Sequence, residues 1–458
     1  MAVSDPPATV SGGAVAIGTG PARVRLSRYA SRPYATEDRL AWGALFGLVL
    51  CGAATVLCSA HTGVLSPRSV RFAPTAITLT GPLGRVGPDI HLAGAIVLFT
   101  LAILCYGVLV RLGRRLSAMG IVIAIVILHL LMALAPPLLS TDVFSYGDYG
   151  RMSAVFHRNP YLHGPIVLGN RDSWLPYIGS RWKLTPTVYG PLFTALSDLL
   201  GHLGVGTAAL VYKLIAVAGS LVTIAVTARV AQRLGRDPAQ AALFVGLNPV
   251  LIIYGVGGSH NDMMMMALLM CAVAALVAHR ARSVGGLLVA AIAVKLTAGI
   301  LLPFALAARR ERSRPHMKRM LAGGVVVFVA VFIVSAILFG SGPLHLLGTL
   351  EVVQSNGGRQ SIPGFIAWGL GLGRLSHGFV IGLQLLFVGS LVGLLVAVRH
   401  QRIDWITATG WAIVALLVTS TFLLPWYAVW LLPFAALSSS RWLRLVAFAF
   451  TAVGMTSL

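Results

Sequence analysis

Stretches of about twenty apolar residues recur along this chain, each long enough to cross a ~30 Å hydrocarbon layer as a helix, and they leave few folds open. Backbone inside lipid must satisfy its own hydrogen bonds, so such stretches fold as helices. Composition agrees: 57% of residues are hydrophobic and only 10% charged, where soluble domains carry roughly a quarter charged. The expectation is an all-α polytopic membrane protein in which residues 39–458 form one transmembrane domain. Residues 1–38 are rich in Ala, Gly, Pro, Ser and Arg and hold no apolar run. They read as a disordered basic cytoplasmic tail rather than a signal peptide.

The formal charge of +22 sits mainly in short connections: Arg111, Arg114 and Arg115; Arg229, Arg233 and Arg236; Arg280 and Arg282; then residues 309–319. Such clusters mark cytoplasmic ends of spans and attract anionic lipid headgroups. This distribution argues against nucleic acid as a partner and for membrane lipids. With the N-terminal tail inside, the alternation gives about eleven crossings, and the C-terminus falls outside. Residues 284–308 break the alternation, because both flanks are basic and a single crossing would strand one of them. A re-entrant helical hairpin, with Lys295 near its tip, satisfies both flanks. Residues 188–203, carrying Asp198 and His202, read as an interfacial helix. One outer face then gathers a large first loop with short interfacial helices (140–187), His260-Asn261-Asp262, a second loop (341–377) and Pro425-Trp426-Tyr427. Cys51, Cys58, Cys105 and Cys271 all fall in apolar segments without metal-ligand spacing, as small buried hydrophobes do.

Acidic residues are scarce, 13 in all, so a carboxylate on the rim of an apolar run is informative. Asp142 follows the apolar run 118–139 within Ser140-Thr141-Asp142-Val143-Phe144-Ser145-Tyr146. A general base must lie within hydrogen-bond reach of the hydroxyl it deprotonates, and a helix end holds it firmly. Asp142 is the candidate base, with helix capping as its alternative. Asp262 is open in the same way, as the cap of the span from Met263 or as a working carboxylate. His260, Lys295, Arg181 and Arg359 are candidate cations for the phosphate of a sugar-phosphate donor, whose leaving charge fixed donors stabilise where water is excluded. A lysine in an apolar segment costs about 2.5–3.5 kcal/mol, so Lys295 either receives an anion or pairs with a carboxylate. Asn261 lies between two of these groups. Tyr146, Tyr189, Trp426 and Tyr427 suit stacking on sugar rings, or form part of an interfacial aromatic belt.

Several short motifs recur in a fixed order: Thr141-Asp142-Val143-Phe144-Ser145-Tyr146, Asn159-Pro160-Tyr161, Tyr189-Gly190-Pro191-Leu192, Leu247-Asn248-Pro249, Gly257-Gly258-Ser259-His260-Asn261-Asp262, Val294-Lys295 and Leu424-Pro425-Trp426-Tyr427 with Trp430. Together, over roughly residues 90–440, they resemble the polyprenol-phosphomannose-dependent α-1,6-mannosyltransferases of the actinobacterial envelope, within the GT-C superfamily. The resemblance implies a GT-C-type multi-span fold in the plasma membrane with an extracytoplasmic site and Asp142 as catalytic base. It implies a polyprenyl-phosphate mannose donor and a mannan or glycolipid acceptor, such as a lipomannan core. Neither a cofactor nor a metal is expected beyond the lipid-linked sugar. Transfer of arabinofuranose or glucose from the same kind of carrier is the alternative chemistry. A flippase for lipid-linked glycans is the alternative class; it calls for paired internal repeats, and one interrupted segment without a convincing repeat is found.

Overall fold

The computed structural model describes residues 32–60, 63–67, 77–308, 314–355, 357–372 and 375–456. Among them the regular structure is entirely helical, as the apolar runs require. Most of the expected basic tail lies outside the described residues, and the first helix, α1, runs Arg32–Leu57. It is followed by α2 (Leu92–Leu112), α3 (Ala118–Ala133), α4 (Asp142–Ala154), α5 (Pro191–Leu199) and α6 (Val205–Arg233). Next come α7 (Pro238–Gly246), a π-helical turn at Val250–Val256, α8 (Asp262–Val277), α9 (Ala281–Val294), α10 (Leu301–Ala307) and α11 (Arg314–Phe339). The chain ends with α12 (Leu346–Ser355), α13 (Ile362–Gly369), α14 (His377–Arg399), α15 (Trp405–Thr419), α16 (Leu432–Leu437) and α17 (Arg441–Thr456).

Five helices are long and apolar enough to cross a membrane, or six if the bent pair α7 and Val250–Val256 counts as one span. The expected count of about eleven is therefore too high for full-length spans; six further apolar helices have 10–17 residues. Breakers shorten them. The run 118–139 was expected to cross as one helix, but α3 stops at Ala133, just before Pro136-Pro137, and proline ends a helix by removing an N–H and clashing with the preceding turn. The apolar stretch formed by α7 and Val250–Val256 bends by 54° at Leu247-Asn248-Pro249. There the Asn248 side chain accepts from the Val250 and Leu251 N–H groups and donates to Thr451. The interfacial helix expected over 188–203 is the nine-residue α5.

Central helices carry the core. α6 meets α8 where Gly219 leaves no room for a Cβ beside the Met263 backbone, and Met263, Met265, Met266 and Met270 of α8 are buried. Conversely, α11 and α14 are exposed along nearly their whole apolar length, as surfaces covered by lipid are. α9 is followed by a turn at Leu296–Ile300 that packs back on it, and then by α10. Ala281 of α9 and Ala305 of α10 belong to one apolar cluster with Ala275 and Met320, and between the two helices Lys295 has an extended backbone (φ −155°, ψ 126°) that ends α9. The Lys295 end of α9 is fixed by the residue before α5: the Gly190 N–H donates to the Val294 carbonyl at 3.0 Å. Only glycine permits that approach, because a Cβ at 190 would run into the Ala293 carbonyl.

Candidate active site

Asp142 is the first residue of α4, and Thr141, the residue before it, makes no side-chain cap. Its own N–H donates to the Ser140 hydroxyl at 3.1 Å, so the carboxylate is not spent on capping. Asp142 Oδ2 lies 3.5 Å from Nδ1 of the fully buried His260. The Tyr146 hydroxyl lies 3.5 Å from the same ring nitrogen and accepts from the Asn261 N–H at 3.4 Å. His260 Nε2 has no partner. A buried N–H without an acceptor is costly, so the ring proton belongs on Nδ1, facing Asp142. The opposite ring face stacks on Trp426 at 3.7 Å and 19°. Burial above all, then the charges of Asp142 and Asp262, raise the Tyr146 phenol well above its usual range, so its O–H stays protonated.

Two segments deliver these side chains, and the backbone is strained at both. Leu139, just before Ser140, and Ser259, just before His260, have left-handed φ of 58° and 59°, a conformation rare for non-glycine residues and concentrated at functional sites. Gly258 is required beside the imidazole, where a Cβ would press on the His260 ring and the Tyr254 carbonyl. Lys213, buried in α6, clasps both segments. Its ammonium donates to the carbonyls of Ala135 (2.9 Å), Pro136 (2.6 Å) and Gly257 (2.9 Å). The sequence reading passed over Lys213, although a lone lysine within an apolar span is a functional candidate on principle.

Asp262 is the first residue of α8 and is also no cap. Its Oδ1 accepts from Lys295 at 2.8 Å and from the Trp430 indole at 2.6 Å. Of the two roles left open for Lys295, the carboxylate partner is thus present. Lys295 also sits 4.6 Å and 5.2 Å from the Tyr427 and Trp430 ring centroids, which stack on each other at 4.2 Å. Fully buried and doubly bonded, Asp262 has no access to a substrate hydroxyl.

Two clefts meet at Asp142. One, of about 800 Å³, is lined by Asp142, Tyr189, Lys295, Trp426, Tyr427 and Trp430, with Leu350, Val353, Leu416 and Leu417 as an apolar side. The other, of about 1140 Å³, is more polar and is lined by Ser66, Ser140, Thr141, Arg181, Gln360 and Trp426 with Asp142. Asp142, Trp182, Phe422, Leu424 and Trp426 form their common wall. Arg181 is held over the Phe422 ring at 4.7 Å and donates to the Val353 carbonyl at 3.2 Å.

Not every expected contact forms. His260, Asn261, Asp262 and Tyr146 are buried behind the wall and line neither cleft. Tyr146 is enclosed edge-on by Tyr189, Phe193 and Tyr212, which leaves its ring no face for a sugar. Arg359 is exposed, lies over Trp368 at 4.9 Å and lines neither cleft, although its neighbour Gln360 lines the second. Its loop position suggested reach, but the Trp368 contact turns it aside. Trp182, Gln354 and Trp430 also line the first cleft; the two tryptophans belong to the aromatic residues interleaved along the sequence, and Gln354 carried no signal.

The fold and its clefts define an all-helical polytopic membrane protein with a carboxylate between an apolar, lysine-bearing cleft and a more polar one. A family described as alpha-(1->6)-mannopyranosyltransferase, N-terminal domain, matches residues 44–310, and one described as MptB C-terminal domain matches residues 360–458. The chain belongs to this alpha-(1->6)-mannopyranosyltransferase family. It is 31% identical to alpha-(1->6)-mannopyranosyltransferase A of Mycobacterium tuberculosis over 66% of this chain and 63% of that one. It is 34% identical to the enzyme of that name from Corynebacterium glutamicum over 45% and 46%, and 26% identical to a probable alpha-(1->6)-mannopyranosyltransferase of Mycolicibacterium smegmatis over 83% and 76%. The chain thus spans less than two thirds of the length of the first two relatives. No solved structure matches it.

Proposed function

We propose that this protein transfers mannose from a polyprenyl-phosphate mannose to a mannan or glycolipid acceptor, forming an α-1,6 linkage at an extracytoplasmic site. The observation that carries the reading is Asp142 on the wall shared by a mainly apolar cleft that holds a lysine and a second cleft richer in polar groups. The donor takes the first cleft, its phosphate toward Lys295 and its prenyl chain along Leu350, Leu416 and Leu417. The acceptor takes the second, among Ser140, Thr141, Arg181 and Gln360. Asp142 removes the proton from the acceptor hydroxyl as its oxygen attacks the anomeric carbon. The bond to the phosphate oxygen breaks in the same displacement, and a β-linked donor yields an α-linked product. Lys295 stabilises the extra charge on the leaving phosphate; one of its three donors is held by Asp262, and the others remain. His260 orients the carboxylate from behind. Fixed charges of this kind act strongly where water is excluded.

The experiment is transfer from radiolabelled polyprenyl-phosphate mannose to a short α-1,6-mannoside by purified protein, followed by linkage analysis. Asp142→Asn should lower the rate by at least about two orders of magnitude, the scale of a lost general base. Membrane yield should be unchanged, because Asp142 makes no cap. Near-normal turnover in the variant would remove Asp142 from the role of base.

A further inference from the structure

At the end of the molecule opposite the clefts, a groove of about 750 Å³ opens between α6, α8 and α9. Arg229, Arg233, Arg280 and Ser283 form its rim, and its walls include Val226, Val230, Cys271, Ala274 and Leu287. All three arginines are exposed, and none of their guanidinium groups has an ion-pair partner among the described residues. Carboxylates elsewhere are engaged: Glu37 holds Arg115, Asp172 holds Arg151, and Asp237 caps α7. Arg229 and Arg233 stand one turn apart on α6, where like charges repel. Among the described residues, the rim therefore has no counter-charge.

We propose that this groove binds an anionic phospholipid, with its phosphodiester between Arg229, Arg233 and Arg280 and its acyl chains against α8 and Leu287. Planar guanidinium forks match phosphate oxygens, and basic pockets between transmembrane helices on the cytoplasmic side are a known setting for acidic headgroups. The apolar walls select a lipid over a free phosphate. The site is independent of the catalytic reading, since the twelve or so residues of α8 between Asp262 and Ala274 separate groove and cleft by on the order of 20 Å.

Cys271 lies in the groove, is partly accessible and reports on it directly. In a protein with Cys51, Cys58 and Cys105 replaced by alanine, the rate of reaction with a small neutral maleimide is measured in detergent. Added dioleoyl phosphatidylglycerol should slow labelling several-fold; dioleoyl phosphatidylcholine and inorganic phosphate at the same concentration should not. Combining Arg229→Gln, Arg233→Gln and Arg280→Gln should abolish that protection. Should the triple variant fail to fold, Leu287→Trp tests the same site by filling its apolar wall with the charges intact, and it should also abolish protection. Equal protection by phosphatidylcholine, protection by phosphate alone, or full protection in either variant would overturn the proposal.

Discussion

Lys295 and Asp262 show what a residue-level reading can and cannot reach. The lysine was conspicuous because charge inside an apolar run is expensive, but its partner lies 33 positions away, and nothing local links the two. Breaking a buried pair strands a charge at a cost of about 3–5 kcal/mol. Lys295→Met should therefore lower the melting temperature of the solubilised protein substantially, and adding Asp262→Asn should restore much of the loss. A stable single variant would mean that the pair contributes nothing to the fold. Donor kinetics of the restored double variant then isolate the role of Lys295 at the phosphate. Asp148 gives a pH test. It is fully buried beside Asp172, which Arg151 holds at 3.0 Å. Desolvation first, then the hydrogen bond with Asp172 and the charge of that residue, push the Asp148 carboxyl up to about 9, against the pull of Arg151. The unfolded carboxyl ionises near 4, so between about pH 4 and pH 9 the folded state binds the extra proton and stability falls as pH rises. Asp148→Asn keeps a neutral group in place. Its melting temperature should gain on the wild type steadily from pH 5 to pH 9, and a difference that stays constant over that range would mean that Asp148 is ionised in the fold.

At the scale of elements, the sequence was most legible where charge constrained it. Basic flanks at both ends of one apolar stretch pointed to a break inside it, and α9 does end at Lys295 before α10 begins. It was least legible where apolar runs looked continuous. Pro136-Pro137 and Asn248-Pro249 were in plain view, yet counting hydrophobic residues over a window averages such breakers away. Those breaks also deliver the site: the non-helical residues 134–141 carry the chain from α3 to Asp142, and the π-helical turn carries it to His260. Lys213 is the clasp between them, and its three carbonyl partners would lose a charged donor in Lys213→Met. Each buried acceptor left unsatisfied costs about 1–3 kcal/mol. We expect a clear drop in melting temperature together with lost transfer activity, because Asp142 and His260 lose their common anchor. A variant as stable and active as the wild type would show that the two segments are aligned without the clasp.

The molecule as a whole sorts its charge by end. Arg229 and Arg233 close α6, Arg280 precedes α9 and Arg399 closes α14, all at the end away from Asp142 and Lys295. Cytoplasmic ends of spans carry the excess of Arg and Lys, so we propose that the arginine end faces the cytoplasm and the clefts the outer face. The two faces carry distinct exposed positions on which to test the assignment: Ser173 and Gly357 at the cleft end, Gln232 and His400 at the arginine end. Each is replaced singly by cysteine in a background lacking the four native ones, and intact cells are treated with a membrane-impermeant thiol reagent. Positions 173 and 357 should label, and positions 232 and 400 should label only after the membrane is opened. Labelling of 232 or 400 from outside would invert the protein. The donor cleft would then face the cytoplasm, and the extracytoplasmic reading of the reaction would fall with it, while the chemistry assigned to Asp142 would stand.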